Sequence, residues 1–477
     1  MKHPDLLRIL LSLVLLTAAG WGCGDDGDST SSQTTSNGTT DTSGATSTPG
    51  GTTDTSGGTT SNATGQAPSP LTPAQGSMSG YIEVTLDLSD LGVDASAVDR
   101  VQMGATRWIL LEAVDGQTLR GITQGHPTAE TVDVELFDSS GASLAVVEEA
   151  FTYAPPLDPR FERFAAFGAS LGQGVQSGSP NFHGALVSPS AQLARQVGAY
   201  HPLPLFVPGL FPALGVDDIS PPPACLTPSV GQFLTLNIGE VLDKLTPADG
   251  DTSQGFALAR VDPDLTAYNV SVGGSTIRDT IQGAQFVDFA VHLVGNMVYN
   301  PYGELGSTAP YPQIEALEML QPTLVMTTDL FGNDLIGSLV GLGNDEIELD
   351  DIPPVEEFEA DLDALVTRLE RLDTWAFIAN MPRPTLLPAA LTKRNLMIDA
   401  ARQNALDNGE DPEQAALDAA LDADDRLAQI DAITEAYNQQ LADRLEGLEK
   451  IHLVDLAARV AELEQNRLMV DGVELSV

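Results

Sequence analysis

The chain has 477 residues, with 22 basic against 67 acidic side chains and a formal net charge of −45. A field of that sign repels phosphate backbones and anionic headgroups, which excludes nucleic acid as a partner and favours a neutral substrate over an anionic one. The length suffices for two or three domains, and two cysteines are too few for a disulfide framework.

In chain order, residues 1–22 read as a lipoprotein signal peptide. Lys2 and Arg8 precede an apolar run from Ile9 to Ala19 that is shorter than the ~20 residues needed to span a bilayer. Gly20-Trp21-Gly22-Cys23 resembles a bacterial lipobox, which implies acylation of Cys23 and a lipid anchor in the cell envelope. An ordinary signal cut near Ala19, leaving Cys23 as a spare thiol, is the competing reading. Residues 23–68 are almost wholly Ser, Thr, Gly and Asp, and no Lys or Arg stands between Arg8 and Arg100. Such a composition cannot offset chain entropy by apolar burial, so a disordered stalk is expected. The second cysteine, Cys225, is expected to be a buried, inert thiol.

Residues 69–155 alternate with period two in "YIEVTLDL", "VDVELF" and "EAFTY", with Asp, Gly and Ser between the runs. That pattern predicts an all-β antiparallel sandwich. The order "SPLTPAQG", "VQMGATRW", "GHPTAETVDVELFDSSG" and "FTYAPP" resembles the TIG (IPT) type of immunoglobulin-like domain, which implies a spacer or binding module without catalysis. His126, in "GHP", is then a turn residue.

From residue 160 to 477 apolar runs alternate with helical stretches. "FAAFG", "YNVSVGG", "TLVMTT", "WAFIAN" and "IHLVDL" are the predicted strands, and "EEFEADLDALVTRLERL" is an amphipathic helix between the third and fourth. Alternation of this kind predicts an α/β domain of three layers around a parallel sheet. Residues 391–450 are predicted to form a helical hairpin broken near "DNGEDP". The proline-rich part from Pro202 to Pro228 is irregular and suits a rim or lid. The acidic run Asn344 to Asp351 lacks the glycine and spacing of an EF-hand loop, so a solvated loop is expected and no metal.

Chemistry concentrates on "GASLG", Gly168 to Gly172, which fits G-x-S-x-G. In a nucleophile-elbow hydrolase several strands precede the serine, whereas Ser170 follows the first strand of its domain. A dinucleotide loop is not supported either, because "GQGVQSG" departs from G-x-G-x-x-G and no acidic residue stands where the ribose needs one. No cofactor is expected. Taken singly, Ser170 reads as a helix N-cap, Gly274 as a turn residue and Asn333 as a loop residue bonded to its own backbone.

Taken together, these residues resemble the SGNH hydrolases, also called GDSL lipases and esterases. "FGASLGQGVQSG" is similar to the first block of that family, with Ser170 at the nucleophile. "YNVSVGGSTIRD" resembles the second, N-x-A-x-x-G-x-x-x-x-D, on Asn269, Gly274 and Asp279. "PTLVMTTDLFGND" resembles the third, where Gly332 and Asn333 match G-x-N-D. The resemblance implies that Ser170 Oγ attacks an ester carbonyl while the Gly274 N–H and the Asn333 amide donate to the oxyanion. Three departures stand beside it. Ala169 replaces the Asp of "GDS"; Asp329 enters a normally apolar run and is expected to displace Asn333; and the chain stops at Val477, where the family continues to the D-x-x-H that supplies the general base.

Of the six histidines, His3 belongs to the signal and His126 to the sandwich. His292 is expected in the core and His452 within a strand, while His183 and His201 are expected near the mouth of the site. Two readings follow: a membrane-anchored ester hydrolase acting on a neutral ester or lipid, impaired by the missing Asp/His block, or a catalytically degenerate surface lipoprotein that binds or supports. The sequence names no protein partner.

Overall fold

The computed structural model describes residues 69–176, 179–180, 182–208, 210, 241, 244–245, 255–283, 289–299, 312–340, 347, 349–350, 352–386, 388–466, 468–470 and 473–475. The signal peptide, Cys23, the stalk, Cys225, residues 211–228 of the proline-rich part and most of the acidic run lie outside the described residues.

The first folded part is a sandwich of two sheets. One has the order β1 (Leu71–Thr72), β3 (Glu83–Asp87), β7 (Thr118–Ile122), β6 (Ile109–Asp115). The other has the order β2 (Gln75–Ser77), β9 (Ser143–Ala154), β8 (Thr131–Phe137), β4 (Arg100–Met103), β5 (Thr106–Arg107). All neighbours are antiparallel except β2, which runs parallel to β9. Alternation places Val84 and Leu86 of one sheet against Val132, Val134 and Leu136 of the other, the period-two signature of strands with one dry face. β6 and β7 were not among the predicted strands. The second half of β6, Glu112 to Asp115, is solvated on both sides, so its apolar alternation is weak.

Beyond the sandwich, four parallel strands pair in the order β10 (Phe164–Ala166), β13 (Leu324–Thr327), β14 (Trp375–Ala379), β15 (Ile451–Val454). Two small antiparallel hairpins lie outside this sheet: β11 (Val175–Gln176) with β12 (Ser179–Pro180), and β16 (Leu468–Val470) with β17 (Val473–Leu475). The predicted strand "YNVSVGG" contributes only a single parallel bridge, Asn269 to Ala166, with Ala166 N donating to Tyr268 O at 2.9 Å and Val270 N to Ala166 O at 2.8 Å. This minimal strand lies on the free side of β10. The five parallel segments therefore run in space as second, first, third, fourth, fifth, and the order reverses between β10 and β13.

Eleven helices accompany the sheet among the described residues: α1 (Ser170–Gln173), α2 (Phe182–Val187), α3 (Pro189–Val197), α4 (Ile277–Gln282), α5 (Phe289–Tyr299), α6 (Gln313–Leu320), α7 (Gly332–Val340), α8 (Val355–Leu372), α9 (Pro388–Asn408), α10 (Pro412–Leu445) and α11 (Leu456–Asn466). Because both faces of a parallel sheet are covered, its strands are apolar throughout: every residue of β10 and β13 is buried. Phe164, Leu324, Met326 and Phe377 face Leu193 and Val197 of α3 and Val460 of α11. Ala165, Val325, Ile378 and Ile451 face the opposite layer, which includes Leu317 of α6, Leu365 of α8 and Tyr437 of α10.

α8 shows how the layer forms. Phe358, Leu362, Leu365, Val366 and Leu369 recur on one face, Glu356 and Glu357 lie in the first turn, and Arg371 lies in the last, the arrangement that complements the helix dipole. The helical hairpin is α9 and α10, joined near Gly409, and Asp411 starts α10 by accepting from the N–H groups of Glu413 and Gln414.

The sandwich packs directly on the α/β part. Tyr81 and Ile109 join Phe182, Ala185, Ala191, Leu203 and Leu205 in one apolar cluster, and the Tyr81 hydroxyl accepts the Leu203 N–H at 2.7 Å. At the rim, Arg107 pairs with Asp262 at 3.2 Å. This junction touches α2, the helix that follows the serine turn.

Truncating the α8 face tests the layer. Leu365→Ala is expected to lower unfolding free energy by about 2–5 kcal/mol. Leu421, 62% exposed on α10, serves as the control; Leu421→Ala is expected to change stability by less than about 0.5 kcal/mol. Urea unfolding followed by far-ultraviolet circular dichroism measures both.

Candidate active site

Ser170 stands where β10 ends, beside the point at which strand order reverses. In open α/β sheets, the crevice outside the carboxyl ends of the strands at such a reversal is where ligands bind. The chain leaves β10 through Phe167 and turns at Gly168, whose φ of +125° is closed to most side chains. A Cβ there would lie 2.6 Å from Thr327 Oγ1 and 2.9 Å from Asp329 Oδ1, so the close approach of β13 also requires glycine. Gln313, at the start of α6, clamps this residue from both sides, accepting Gly168 N–H at 2.7 Å and donating to Gly168 O at 2.9 Å.

Ser170 is the first residue of α1, not its N-cap. Ala169 occupies the cap position and has no side chain with which to cap. The capping function is met from β13: Asp329 accepts from Ala169 N at 3.1 Å, Leu171 N at 2.6 Å and Gly172 N at 3.3 Å. The Ser170 side chain is half-buried. Among the described residues, its hydroxyl and its own N–H have no hydrogen-bond partner.

The second segment lies against this turn. Gly273 N donates to Gln173 Oε1 at 2.8 Å, and a Cβ built at Gly273 would sit 3.7 Å from Ser170 Cβ. Gly274 follows with φ +89°, and among the described residues its N–H is also unpaired. Asp279 does not reach the turn. It closes a capping box with Thr276 at the start of α4, accepting Thr276 N–H at 2.9 Å. Asn269 is likewise a strut, buried and donating to Gly172 O at 2.8 Å.

Asn333 is in the first turn of α7, not a loop, and bonds outward instead of to its own backbone. Its Nδ2 donates to Ser275 O at 2.8 Å. The neighbouring Asp334 accepts Ile277 N–H at 2.9 Å. Two adjacent side chains thus clasp the 274–277 loop to α7, so Asp329 orders the serine turn without separating Asn333 from that loop. Ser170, Gly274 and Asn333 are gathered at one end of the sheet by these contacts.

Several polar atoms around the turn are buried without a partner among the described residues: Ser271 Oγ, which lies at Gly172, Thr327 Oγ1, at Gly168, and Gln173 Nε2. Each such group costs about 1–3 kcal/mol when left unpaired. Burial pushes the Asp329 carboxyl up from its ordinary value, against the three amides that pull it down. Asp334 is pushed up to about 7, chiefly by burial, with Asp279 and Asp361 adding repulsion against the Ile277 N–H that pulls it down.

His126, His201 and His452 are engaged elsewhere. His201, expected near the mouth, is buried at the opposite end of β10; its Nδ1 meets Phe164 O at 2.8 Å and its Nε2 meets Ser190 Oγ at 3.0 Å. Burial lowers its pKa to about 4, which keeps the ring neutral. His183 is exposed and packs edge-on against Phe182. His452 stacks on Trp375, and His126 is buried against Tyr153 in the sandwich. The side chain of His292 lies outside the described residues.

Two cavities open elsewhere. One of about 260 Å³ lies at the junction with the sandwich, between Arg107, Gln124 and Asp262. Another, of about 410 Å³, lies between Leu265, Val270, Tyr299 and Met319. Neither is lined by Ser170, Gly274 or Asn333.

No family model matches this chain, and no curated protein matches it.

The sequence does not single out Gln313, Gln173 or the clasping role of Asp334. Asp329 carried a signal, an acid directly after an apolar strand; Gln313, one glutamine among many, carried none.

The Asp334 shift has a definite sign. Its proton stays bound to about pH 7 in the folded state, whereas an unfolded aspartate releases it near pH ~4. Stability from this group is present below the unfolded value and lost as pH rises through 7. Between about pH 5 and about pH 8 the wild type is expected to lose stability that Asp334→Asn retains, read as the difference in urea midpoints.

Proposed function

We propose that the α/β domain is an SGNH-type serine ester hydrolase and that the sandwich before it is a TIG-like module. The supporting observation is the half-buried, unpartnered hydroxyl of Ser170, with its own N–H and that of Gly274 unpaired among the described residues and the Asn333 amide bonded to Ser275 O, one residue beyond Gly274. Ser170 Oγ attacks the carbonyl carbon of a neutral ester, its proton passes to a base, and the carbonyl oxygen takes up negative charge. The Ser170 and Gly274 N–H groups and the second Nδ2 proton of Asn333 donate to that oxygen. Preorganised donors of this kind lower the barrier because they need no rearrangement as charge develops.

Turnover also requires the base. Among the described residues no imidazole is bonded to Ser170 Oγ. Without such a group a serine hydrolase loses up to ~10⁶ in kcat and retains ~10³–10⁴ over water from its oxyanion donors and binding. A second reading is therefore a degenerate hydrolase serving as a binding or structural surface protein, favoured by the engagement of His201 with Phe164 and Ser190.

Full-length protein treated with a fluorophosphonate probe and assayed on p-nitrophenyl esters separates the two. The hydrolase reading expects labelling at Ser170 with turnover, loss of both in Ser170→Ala, and a fall of about 10²–10³ in rate for Asn333→Ala. No labelling and no turnover refutes it.

The same proposal includes tethering to the cell envelope through acylated Cys23, with 23–68 as spacer. No helix among the described residues is long and apolar enough to cross a membrane. Cys23→Ala is expected to move the protein from the membrane fraction to the soluble fraction; unchanged membrane association contradicts a lipid tether.

A further inference from the structure

The serine turn lacks an acid of its own. Ala169, where a GDS-type turn carries Asp, is buried and makes no side-chain hydrogen bond. Across the crevice, Asp329 points its carboxylate into the same turn, and its contacts follow a pattern. Oδ1 takes Ala169 N, Oδ2 takes Leu171 N, Gly172 N reaches both oxygens, and the N–H between the first two, that of Ser170, is skipped. A carboxylate with two oxygens thus fixes the residues on either side of Ser170 while leaving Ser170 N–H without a partner.

The glycines of "GASLG" fit this arrangement. A Cβ at Gly168 would lie 2.9 Å from Asp329 Oδ1, and one at Gly172 would lie 3.3 Å from it. Gly168 and Gly172 therefore leave room for the acid beyond β13, and still more tightly for Thr327 Oγ1 and Ser271 Oγ, each 2.6 Å from such a Cβ. In this chain the two glycines of G-x-S-x-G flank a strand-to-helix turn into which a carboxylate from beyond β13 fits.

We propose that Asp329 is a positioning residue for Ser170: it replaces, from a second strand, the acid absent at 169, and holds the serine N–H and hydroxyl fixed and unpaired for the oxyanion and the attacking bond. This inference rests on the reading of Ser170 as the nucleophile. Asp329 touches no reacting atom. It acts through the turn, by accepting the N–H groups that would otherwise let Ala169–Gly172 relax.

The test uses full-length protein and the variants Asp329→Ala and Asp329→Asn, with two independent readouts. The first is amide hydrogen exchange in peptides covering 167–174. Losing the shared acceptor leaves the Ala169, Leu171 and Gly172 N–H groups unbonded, so Asp329→Ala is expected to speed exchange there by about tenfold or more while β14 and β15 keep their protection. The second is fluorophosphonate labelling, resolved into probe affinity and inactivation rate. Small misplacement of a reacting group costs about 10²-fold, so the inactivation rate is expected to fall by that order in Asp329→Ala with affinity within about twofold. Asp329→Asn keeps one accepting oxygen and is expected to fall between the two.

Exchange and labelling both within about twofold of wild type overturn the proposal. Protection lost throughout the sheet, with Asp329→Asn no better than Asp329→Ala, also overturns it, because the residue then serves only the core. A wild type that is never labelled refutes the nucleophile reading instead. In that case the exchange data still decide the clamp: selective loss at 167–174 supports it, and no change overturns it.

Discussion

A carboxylate taken out of water must find donors, and the donors available to Asp329 are the backbone amides of the serine turn. That demand links the first and third strands of the α/β sheet at their carboxyl ends. It fixes the conformation of Ala169 to Gly172, and through Asn269 and Gln173 the same turn holds the 269–274 segment. Remove the acid and three backbone amides lose their common acceptor. A candidate site assembled from three separated stretches thus depends on one buried carboxyl more than on any local propensity.

The remaining contacts extend the same logic outward. Asn333 and Asp334 clasp the 274–277 loop to α7, and α7 follows directly on the Asp329 segment. Loop and helix are therefore referred to the same strand end as Ser170. Behind them, Phe331 packs edge-on against Phe358 of α8 and Tyr437 of α10, and the Tyr437 hydroxyl bonds Pro353 O. The helical layer thereby supports the residues that shape the site, and the long hairpin of α9 and α10 is part of that support as well as a surface.

The sandwich also bears on the site. Tyr81 and Ile109 contact Phe182 and Ala185 of α2, the helix after the serine turn, and Arg107 binds Val261 O and Asp262 in the loop that precedes the second segment. The sandwich therefore braces two stretches flanking Ser170. The strength of that bracing comes from apolar burial at the centre of the junction, since the Arg107–Asp262 pair at its rim is partly solvated and such pairs contribute little.

The period-two runs of 69–155 and the alternation of apolar strands with amphipathic helices in 160–477 determined by themselves that a β-sandwich precedes a parallel α/β sheet, because periodicity states directly which side of an element is dry. The same runs located β10, β13, β14, β15 and α8 to within a residue or two. They left β6 unread where solvent reaches both sides, and they overstated "YNVSVGG", which pairs at one residue only. Ser170, Gly274 and Asn333 stand out as candidates in the sequence by their spacing. What the tertiary structure alone decided is the work of Asp329, Gln313 and Asp334, and the burial of His201 away from the site. These residues act across gaps of 57 to 160 positions, or are turned from solvent by packing. No local pattern encodes which distant amide a buried carboxylate will meet; only the folded sheet brings them within reach.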